Sequence, residues 1–212
     1  MSVLSSRRLF PSNLTINTRQ AIFAAAAAVA FSASGAMAQN LLVNGSFENP
    51  LGSEWTRSGN VGRNSGSGLP FNTSDGSFAM NWNGGDTTPN GVLQQTFSTV
   101  PGTLYTLSFD FGKWEPAGAT GGSASLRVLV ISGASTVLDQ TVLASTGAAV
   151  NWWQSYSFVF TATEASTVLR FSDESIGTSS FDGLLDNVSV IPSPSAAGLL
   201  GLAGLMASRR RR

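Results

Sequence analysis

The 212-residue sequence contains no cysteine and no histidine. Thiolate catalysis, Ser-His-Asp triads, imidazole general bases and the usual zinc and iron sites are therefore excluded. Charged residues make up only 11% of the chain, and the formal net charge is zero. Any catalytic chemistry would have to come from carboxylates or hydroxyls.

The charges are distributed unevenly along the chain. Seven of the 12 basic residues lie near the two termini, whereas all 12 acidic residues lie between residues 39 and 190. This middle segment keeps five basic residues and has a net charge of −7. It lacks the clustered Lys and Arg that phosphate contacts need, so nucleic acid is not an expected partner.

Residues 1–38 have the pattern of a secretory signal peptide. Basic residues precede an apolar run from Ala21 to Phe31, and Ala36-Met37-Ala38 forms a small-residue cleavage site. The run is shorter than the roughly 20 residues of a membrane-spanning helix. We expect export through the Sec route with cleavage after Ala38, and Ser6-Arg7-Arg8-Leu9-Phe10 leaves twin-arginine export as an alternative.

Residues 191–212 have the pattern of a sorting tail. Pro192-Ser193-Pro194 precedes an apolar stretch at 196–207, and Arg209, Arg210, Arg211 and Arg212 end the chain. As a helix, the apolar stretch would be about 18 Å long, too short for a hydrocarbon core of about 30 Å. We expect transient insertion into the inner membrane, with the arginines on the cytoplasmic side.

This tail resembles the PEP-CTERM signals that exosortases process in Gram-negative and related bacteria. Ser193 stands where that pattern usually has Glu, which leaves open which sorting enzyme recognises the tail. The resemblance implies an exosortase-type enzyme as partner and a final location on the cell surface or in an extracellular matrix. The alternative is a simple amphipathic membrane tail.

Residues 39–190 have the length of one domain, and period-2 alternation of apolar residues predicts strands along it. Turn-forming Gly, Pro and Asn separate the strands, and residues 58–77 have the composition of one long loop. We predict an all-β fold, an antiparallel jelly-roll β-sandwich. The predicted strands are Phe78–Trp82, Leu93–Phe97, Tyr105–Phe111, Leu126–Ile131, Thr136–Leu143, Trp152–Phe160, Thr167–Phe171 and Leu184–Val190.

Three motifs in this segment resemble the choice-of-anchor C family. They are Asn40-Leu41-Leu42-Val43-Asn44-Gly45-Ser46-Phe47-Glu48, Pro101-Gly102-Thr103-Leu104-Tyr105-Thr106-Leu107-Ser108-Phe109, and Leu185-Asp186-Asn187-Val188-Ser189-Val190. The resemblance implies a secreted domain carried on alternative sorting tails. It also implies a galactose-binding-like β-sandwich, a group that includes many carbohydrate-binding modules.

Asp186 is the first candidate site residue. Alternation places it on one face with the predicted core residues Leu184, Val188 and Val190. An inward-facing carboxylate needs a partner. The resemblance to calcium-containing sandwiches implies that the first and last strands are adjacent, which would bring Glu48 close. Our hypothesis is a structural Ca²⁺ site on Glu48 and Asp186, completed by carbonyls of residues 44–46. The alternative is a pair of carboxylates hydrogen-bonded to turn amides.

The five tryptophans are candidates for stacking against sugar rings. Trp82 and Trp152 alternate with other apolar residues, which predicts that both lie in the core. Trp153 lies on the opposite strand face, and Trp55 and Trp114 border predicted loops. These three are the carbohydrate-binding candidates, and ordinary packing is the alternative for each.

A glycosidase would need two carboxylates about 5 to 10 Å apart in a cleft. The nearest concentration is Asp173, Glu174, Asp182 and Asp186, and adjacent acidic residues in a loop are typical of solvated surface. We therefore expect no enzyme. The sequence favours a non-catalytic, exported protein of the bacterial envelope or exopolysaccharide matrix that binds carbohydrate, and the alternative is a purely structural or adhesive matrix protein.

Overall fold

The computed structural model describes residues 39–65, 72–82, 90–115, 123–144, 152–176 and 181–193. The predicted signal peptide and residues 194–212 of the predicted sorting tail lie outside these ranges. Chain contacts divide the protein after Met37, and everything described below belongs to the second unit. No helix among the described residues is long and apolar enough to cross a membrane.

Ten strands form two five-stranded antiparallel sheets. The first sheet has the order β1-β4-β9-β6-β7 and the second has the order β2-β3-β10-β5-β8. The strands are β1 (Trp55–Ser58), β2 (Val61–Ser65), β3 (Phe78–Trp82), β4 (Val92–Ser98), β5 (Leu104–Trp114), β6 (Ala124–Ser132), β7 (Ser135–Ala144), β8 (Trp152–Thr161), β9 (Ser166–Asp173) and β10 (Asp182–Pro192).

The core lies between the two sheets and consists of alternate residues of each strand. In β5, Tyr105, Leu107, Phe109 and Phe111 are at most 2% exposed, and the residues between them face outward. Phe109 packs edge-on against Phe171 of the opposite sheet, with ring centroids 5.3 Å apart. The predicted all-β antiparallel sandwich is thus confirmed, because period-2 alternation is the pattern of strands with one buried face.

All eight predicted strands are present, but the prediction of one loop over residues 58–77 is wrong. Strand β2 lies inside that range and pairs with β3 from Val61 opposite Trp82 to Ser65 opposite Phe78. Only Val61 of this strand is buried. A strand held by backbone pairing with little apolar burial leaves no alternation in the sequence, which explains the error.

The predicted orientation of Asp186 is also wrong, because a bulge interrupts β10. The register with β5 shifts between Asp186 and Ser189, and Asn187 adopts a left-handed backbone with φ of 52°. Asp186 lies opposite Asp110, on the outer face of the second sheet, whereas Val188 belongs to the core. Because the bulge inserts an extra residue, Asp186 and Val188 lie on opposite faces of the sheet, although regular alternation would place them on the same face.

The opening segment, residues 40–48, lies beside β10, so the two ends of the domain are neighbours. The Leu41 amide donates to the Val190 carbonyl at 2.8 Å, and the Val188 amide donates to the Gly45 carbonyl at 2.9 Å. A Cβ on residue 45 would lie 2.0 Å from the Val188 carbonyl oxygen. Only glycine permits this approach of two backbones.

Gln95 of β4 connects the opening segment to the first sheet. Its side chain is buried at 2% exposure. The Val43 amide donates to its Oε1 at 2.8 Å, and its Nε2 donates to the Val43 carbonyl at 2.9 Å. One amide side chain thus pairs with both backbone groups of Val43, as a neighbouring strand would.

We predict that Gln95→Ala lowers the free energy of unfolding by about 2 to 4 kcal/mol, because it leaves the Val43 amide without its acceptor and removes buried volume. The matched control is Gln94→Ala on the outer face of the same strand, with an expected loss of less than about 1 kcal/mol. Urea denaturation of both variants measures the difference, and equal losses would contradict the bridging role of Gln95.

Candidate functional site

Two of the three candidate tryptophans lie on one face of the molecule. Trp153 of β8 pairs with Gly112 of β5, and Trp114 follows two positions after Gly112. Because Phe111 faces the core, Gly112, Trp114 and Trp153 face outward from the second sheet. Diagonal neighbours in an antiparallel pair lie about 7 to 8 Å apart, within reach of one ligand. We call Trp114 and Trp153 the tryptophan pair.

The tryptophan pair is only partly covered by protein, since both side chains have intermediate exposure. The indole nitrogen of Trp153 is buried and has no hydrogen-bond acceptor among the described residues. Trp114 pairs across the sheet with Asp182 of β10. The pair thus combines apolar ring surface with a polar N–H group in need of an acceptor.

The structure does not support Trp55 as a stacking residue. Trp55 is 3% exposed and belongs to the hydrophobic core, where its ring lies 5.4 Å from that of Phe47. Its indole nitrogen donates to the carbonyls of Val43 and Asn44. Trp55 does border a loop, since it begins a four-residue strand at the sheet edge, but its ring lies in the core.

The other two tryptophans were predicted to lie in the core. Trp82 is 1% exposed there, which confirms the prediction. The side chain of Trp152 lies outside the described residues, so its prediction stays untested.

A polar cluster that the sequence analysis missed lies on the same outer face. The Ser155 hydroxyl donates to Asp110 Oδ1 at 2.5 Å, and the Asn187 side-chain amide donates to Asp110 Oδ2 at 3.2 Å. Asp110 stands between Phe109 and Phe111, so the alternation in β5 already indicated that it faces outward. The bulge brings Asn187 to it, and no local sequence signal predicted that contact.

The predicted calcium ligands are Glu48 and Asp186. Both carboxylates accept hydrogen bonds from backbone amides of the segment 72–78. Ser77 and Phe78 donate their backbone N–H groups to Glu48 Oε1, each at 2.8 Å. The amides of Ser74 and Asp75 donate to Asp186 Oδ2 at 3.0 and 2.9 Å. We call residues 72–78 the covering loop, since Asp186 faces outward from the sheet and yet has no exposed surface.

The covering loop requires glycine at position 76. Gly76 has a φ of +56°, in the left-handed region. A Cβ at this position would lie 2.4 Å from the carboxyl group of Glu48. Glu48 can therefore reach the amides that follow only because residue 76 has no side chain.

Burial raises the pKa of Asp186 from 3.8 to about 6. The backbone donors of Asp75, Asn187 and Ser74 act in the opposite direction, and the charge of Asp75 adds to the increase. Desolvation therefore outweighs three hydrogen bonds to the charged form.

The oxygens of the predicted calcium site already accept hydrogen bonds. Three of the four carboxylate oxygens of Glu48 and Asp186 accept backbone amides. The Asn44 carbonyl accepts from Phe47 and Trp55, and the Gly45 carbonyl accepts from Val188. No group of three or more acidic side chains converges among the described residues. This donor pattern favours the amide-bonded alternative, and the calcium site stays a prediction.

The acidic residues considered for glycoside hydrolysis have other contacts. Asp173 accepts from the backbone of Ser175 at 2.9 Å, and Glu174 Oε2 accepts from the hydroxyl of Thr141 at 3.3 Å. Asp182 is buried beside Trp114, and Asp186 lies under the covering loop. The structure does not bring these carboxylates together as an acid and base facing one cleft.

Comparison with known proteins gives a family and a fold. A family model described as "Protein of unknown function (DUF642)" matches residues 40–191. No curated protein matches the chain. The structure of TmCBM61 in complex with β-1,4-galactotriose is similar with a TM-score of 0.55 and 20% identity, over 73% of this chain and 99% of that chain.

A second similar structure is the K1 cleaved adhesin domain of Lys-gingipain (Kgp) from Porphyromonas gingivalis W83. Its TM-score is 0.51 at 18% identity, over 70% of this chain and 96% of that chain. Similarity at this level of identity shows a common fold. The antiparallel β-sandwich expected from the sequence is therefore confirmed as an architecture.

We predict that Asp186→Ala lowers thermal stability equally in calcium and in chelator, because the lost partners are the backbone amides of the covering loop. Thermal melts of the wild type and the variant in both conditions measure this effect. A loss confined to the calcium condition would instead establish the metal site of the sequence analysis.

The raised pKa predicts a pH dependence of stability. Between pH 4 and 6 the folded protein holds a proton on Asp186 that the unfolded chain releases, so its contribution to stability is greatest below pH 4 and is lost as the pH rises through 6. Asp186→Asn carries no charge at any pH, so its stability relative to wild type should rise as the pH increases from 4 to 7.5.

Urea denaturation of both proteins at several pH values measures this difference. The comparison cancels the titration of the other carboxylates, which both proteins share. A difference that stays constant with pH would contradict the raised pKa.

Proposed function

The chain belongs to the DUF642 family, and we propose that it is a non-catalytic carbohydrate-binding protein, exported to the bacterial cell surface or exopolysaccharide matrix. In this proposal the β-sandwich is a rigid scaffold and the outer face of the second sheet is the binding surface. The carbohydrate is an extracellular polysaccharide.

The tryptophan pair is the observation that carries the proposal. Partly exposed indole rings on neighbouring strands offer flat apolar surfaces for the apolar faces of sugar rings. The indole N–H of Trp153 is buried, so the pair would bind a sugar through its ring surfaces. Asp110 and Asn187 lie on the same face and supply hydrogen-bonding groups for sugar hydroxyls. The crystallised complex of TmCBM61 with β-1,4-galactotriose supports this class of ligand, because it shows that the shared fold has been used for a sugar.

The absence of catalysis is part of the same proposal. Asp173, Glu174 and Asp186 accept hydrogen bonds from backbone amides or from another side chain. Glycoside hydrolysis needs a carboxylic acid and a carboxylate on opposite sides of a bound sugar. Binding through aromatic rings and hydroxyl-directed hydrogen bonds needs no such pair.

Export and sorting complete the proposal and rest on the sequence. Residues 1–38 act as the signal peptide, and residues 191–212 act as a PEP-CTERM-like tail for an exosortase-type enzyme. The domain that remains after processing has a net charge of −7, which keeps it soluble outside the cell. Pro192 is the last residue of β10, so the folded domain extends to the start of the tail.

We predict that Trp114→Ala and Trp153→Ala each weaken retention on the bound polysaccharide about tenfold or more, because removal of an aromatic anchor at the centre of a site typically costs more than 1.4 kcal/mol. Affinity electrophoresis on a panel that includes β-1,4-galactan measures retention. Val159→Ala is the matched control, since Val159 is 59% exposed on the outer face of the same strand and away from the pair.

Unchanged retention in both tryptophan variants would show that the pair is not the binding surface. Failure of the folded wild-type protein to bind any polysaccharide would favour the purely structural matrix role. Release of reducing sugar that one carboxylate substitution abolishes would contradict the non-catalytic assignment.

A further inference from the structure

A groove crosses the outer face of the first sheet, on the opposite side of the sandwich from the tryptophan pair. Its volume is about 430 Å³, within the range of small-ligand sites. Thr56, Gln94 and Arg170 stand opposite one another on β1, β4 and β9, and form one row of its floor. The remaining described lining residues are Ser58, Val92 and Ser172 on the same face, and Arg57 at the sheet edge, opposite the core residue Leu93.

Two of the five basic residues of the domain line this groove, and the other three are committed elsewhere. Arg63 donates to the carbonyls of Phe47 and Glu48. Lys113 forms a buried ion pair with Glu115 at 2.7 Å, and Arg127 forms an ion pair with Asp139 at 2.7 Å. Among the described residues, Arg57 and Arg170 share with Arg63 the absence of an acidic partner, but unlike Arg63 each donates to a single acceptor.

The environment of Arg170 positions its guanidinium group without neutralising it. Gln94 Oε1 accepts a hydrogen bond from Arg170 Nε at 2.9 Å, and no other described residue accepts from this side chain. Arg57 donates from Nη1 to the Val61 carbonyl at the longer distance of 3.3 Å. Both partners are neutral, so both positive charges persist, and none of the described lining residues is acidic.

The distribution of charge makes this groove specific for one kind of ligand. The domain carries a net charge of −7, which disfavours the approach of anions to most of its surface. A planar guanidinium group presents paired N–H donors that match a carboxylate or a sulfate. The hydroxyls of Thr56, Ser58 and Ser172 and the amide of Gln94 suit the hydroxyl groups of a sugar. Val92 is the only apolar lining residue, so the groove offers little to the side chains of a peptide.

We propose that the groove formed by Arg57, Arg170 and Gln94 binds the anionic group of an acidic polysaccharide, a uronate carboxylate or a sulfate ester. This inference rests on the proposed function for the class of polymer, but it assigns a second site with its own chemistry. The tryptophan pair contributes ring stacking on one outer face, and the arginine groove contributes charge recognition on the other.

The test compares polymers that differ only in charge. Binding of the full-length processed protein to polygalacturonate and to its methyl-esterified form is measured by affinity electrophoresis at about 50 mM salt, where charge interactions are weakly screened. Dextran sulfate and dextran form the second matched pair and distinguish sulfate from carboxylate. We expect the charged member of at least one pair to bind about tenfold more tightly or better, the gain typical of a hydrogen bond to a charged group.

The variants Arg57→Gln and Arg170→Gln keep a polar side chain of similar length and remove the charge. Each should lose about tenfold in affinity for the charged polymer, and added salt should weaken wild-type binding more than variant binding. Arg127→Gln is the matched control, because it removes the same charge from the border of the groove, opposite Ser172, where that charge is already paired with Asp139. It should change the affinity by less than about twofold, since its charge is already paired.

The outcomes separate this inference from the proposed function. Equal binding of the charged and neutral polymers, with no effect of Arg57→Gln or Arg170→Gln, would overturn the groove while leaving the tryptophan pair intact. Binding of poly-glutamate as tight as that of polygalacturonate, lost in the same two variants, would overturn the assignment to a polysaccharide. Binding of no polysaccharide by the folded protein would overturn both.

Discussion

The structure depends on how residues 40–48 are held between the two sheets. This segment forms no strand of its own, so side chains satisfy much of its backbone: Asn40 pairs with β10, Gln95 with Val43, and Arg63 with the carbonyls of Phe47 and Glu48. An unpaired buried backbone group costs about 1 to 3 kcal/mol, so each of these side chains fixes the path of the chain. The first and last parts of the domain are thereby joined.

The position of this segment determines what lies over the second sheet. Glu48 ends the segment, and its carboxylate holds the last amides of the covering loop, while Asp186 holds the earlier ones. The two carboxylates thus act as a structural pair even though they stand at opposite ends of the domain sequence. This arrangement requires that Asp186 be buried, which raises its pKa. It also requires glycine at position 76. Trp114 and Trp153 lie on the part of the second sheet's outer face that stays open.

Sequence reasoning predicted the sandwich because alternation marks strands with one buried face, and it correctly placed Trp153 opposite the core. It failed where three-dimensional pairing overrides local pattern. Strand β2 has no apolar alternation to reveal it, and the four-residue strand β1 is too short for an alternation that would place Trp55 in the core. The bulge at Asn187 moved Asp186 to the outer face. The arginine groove was not predicted, because the sequence does not show which basic side chains find an acidic partner in the folded protein.

The two proposed sites lie on opposite faces of one rigid sandwich, and this placement links the two roles that the sequence left as alternatives. A polysaccharide that stacks on Trp114 and Trp153 extends along the second sheet, whereas an acidic group in the groove of Arg57 and Arg170 belongs to a chain running along the first. The core between the sheets keeps these surfaces apart, so a single domain is able to hold two polymer segments at once. Binding two segments that belong to different chains crosslinks them, with an effective concentration set by the rigid spacing of the sites. Carbohydrate binding and a structural role in the matrix are then consequences of the same geometry.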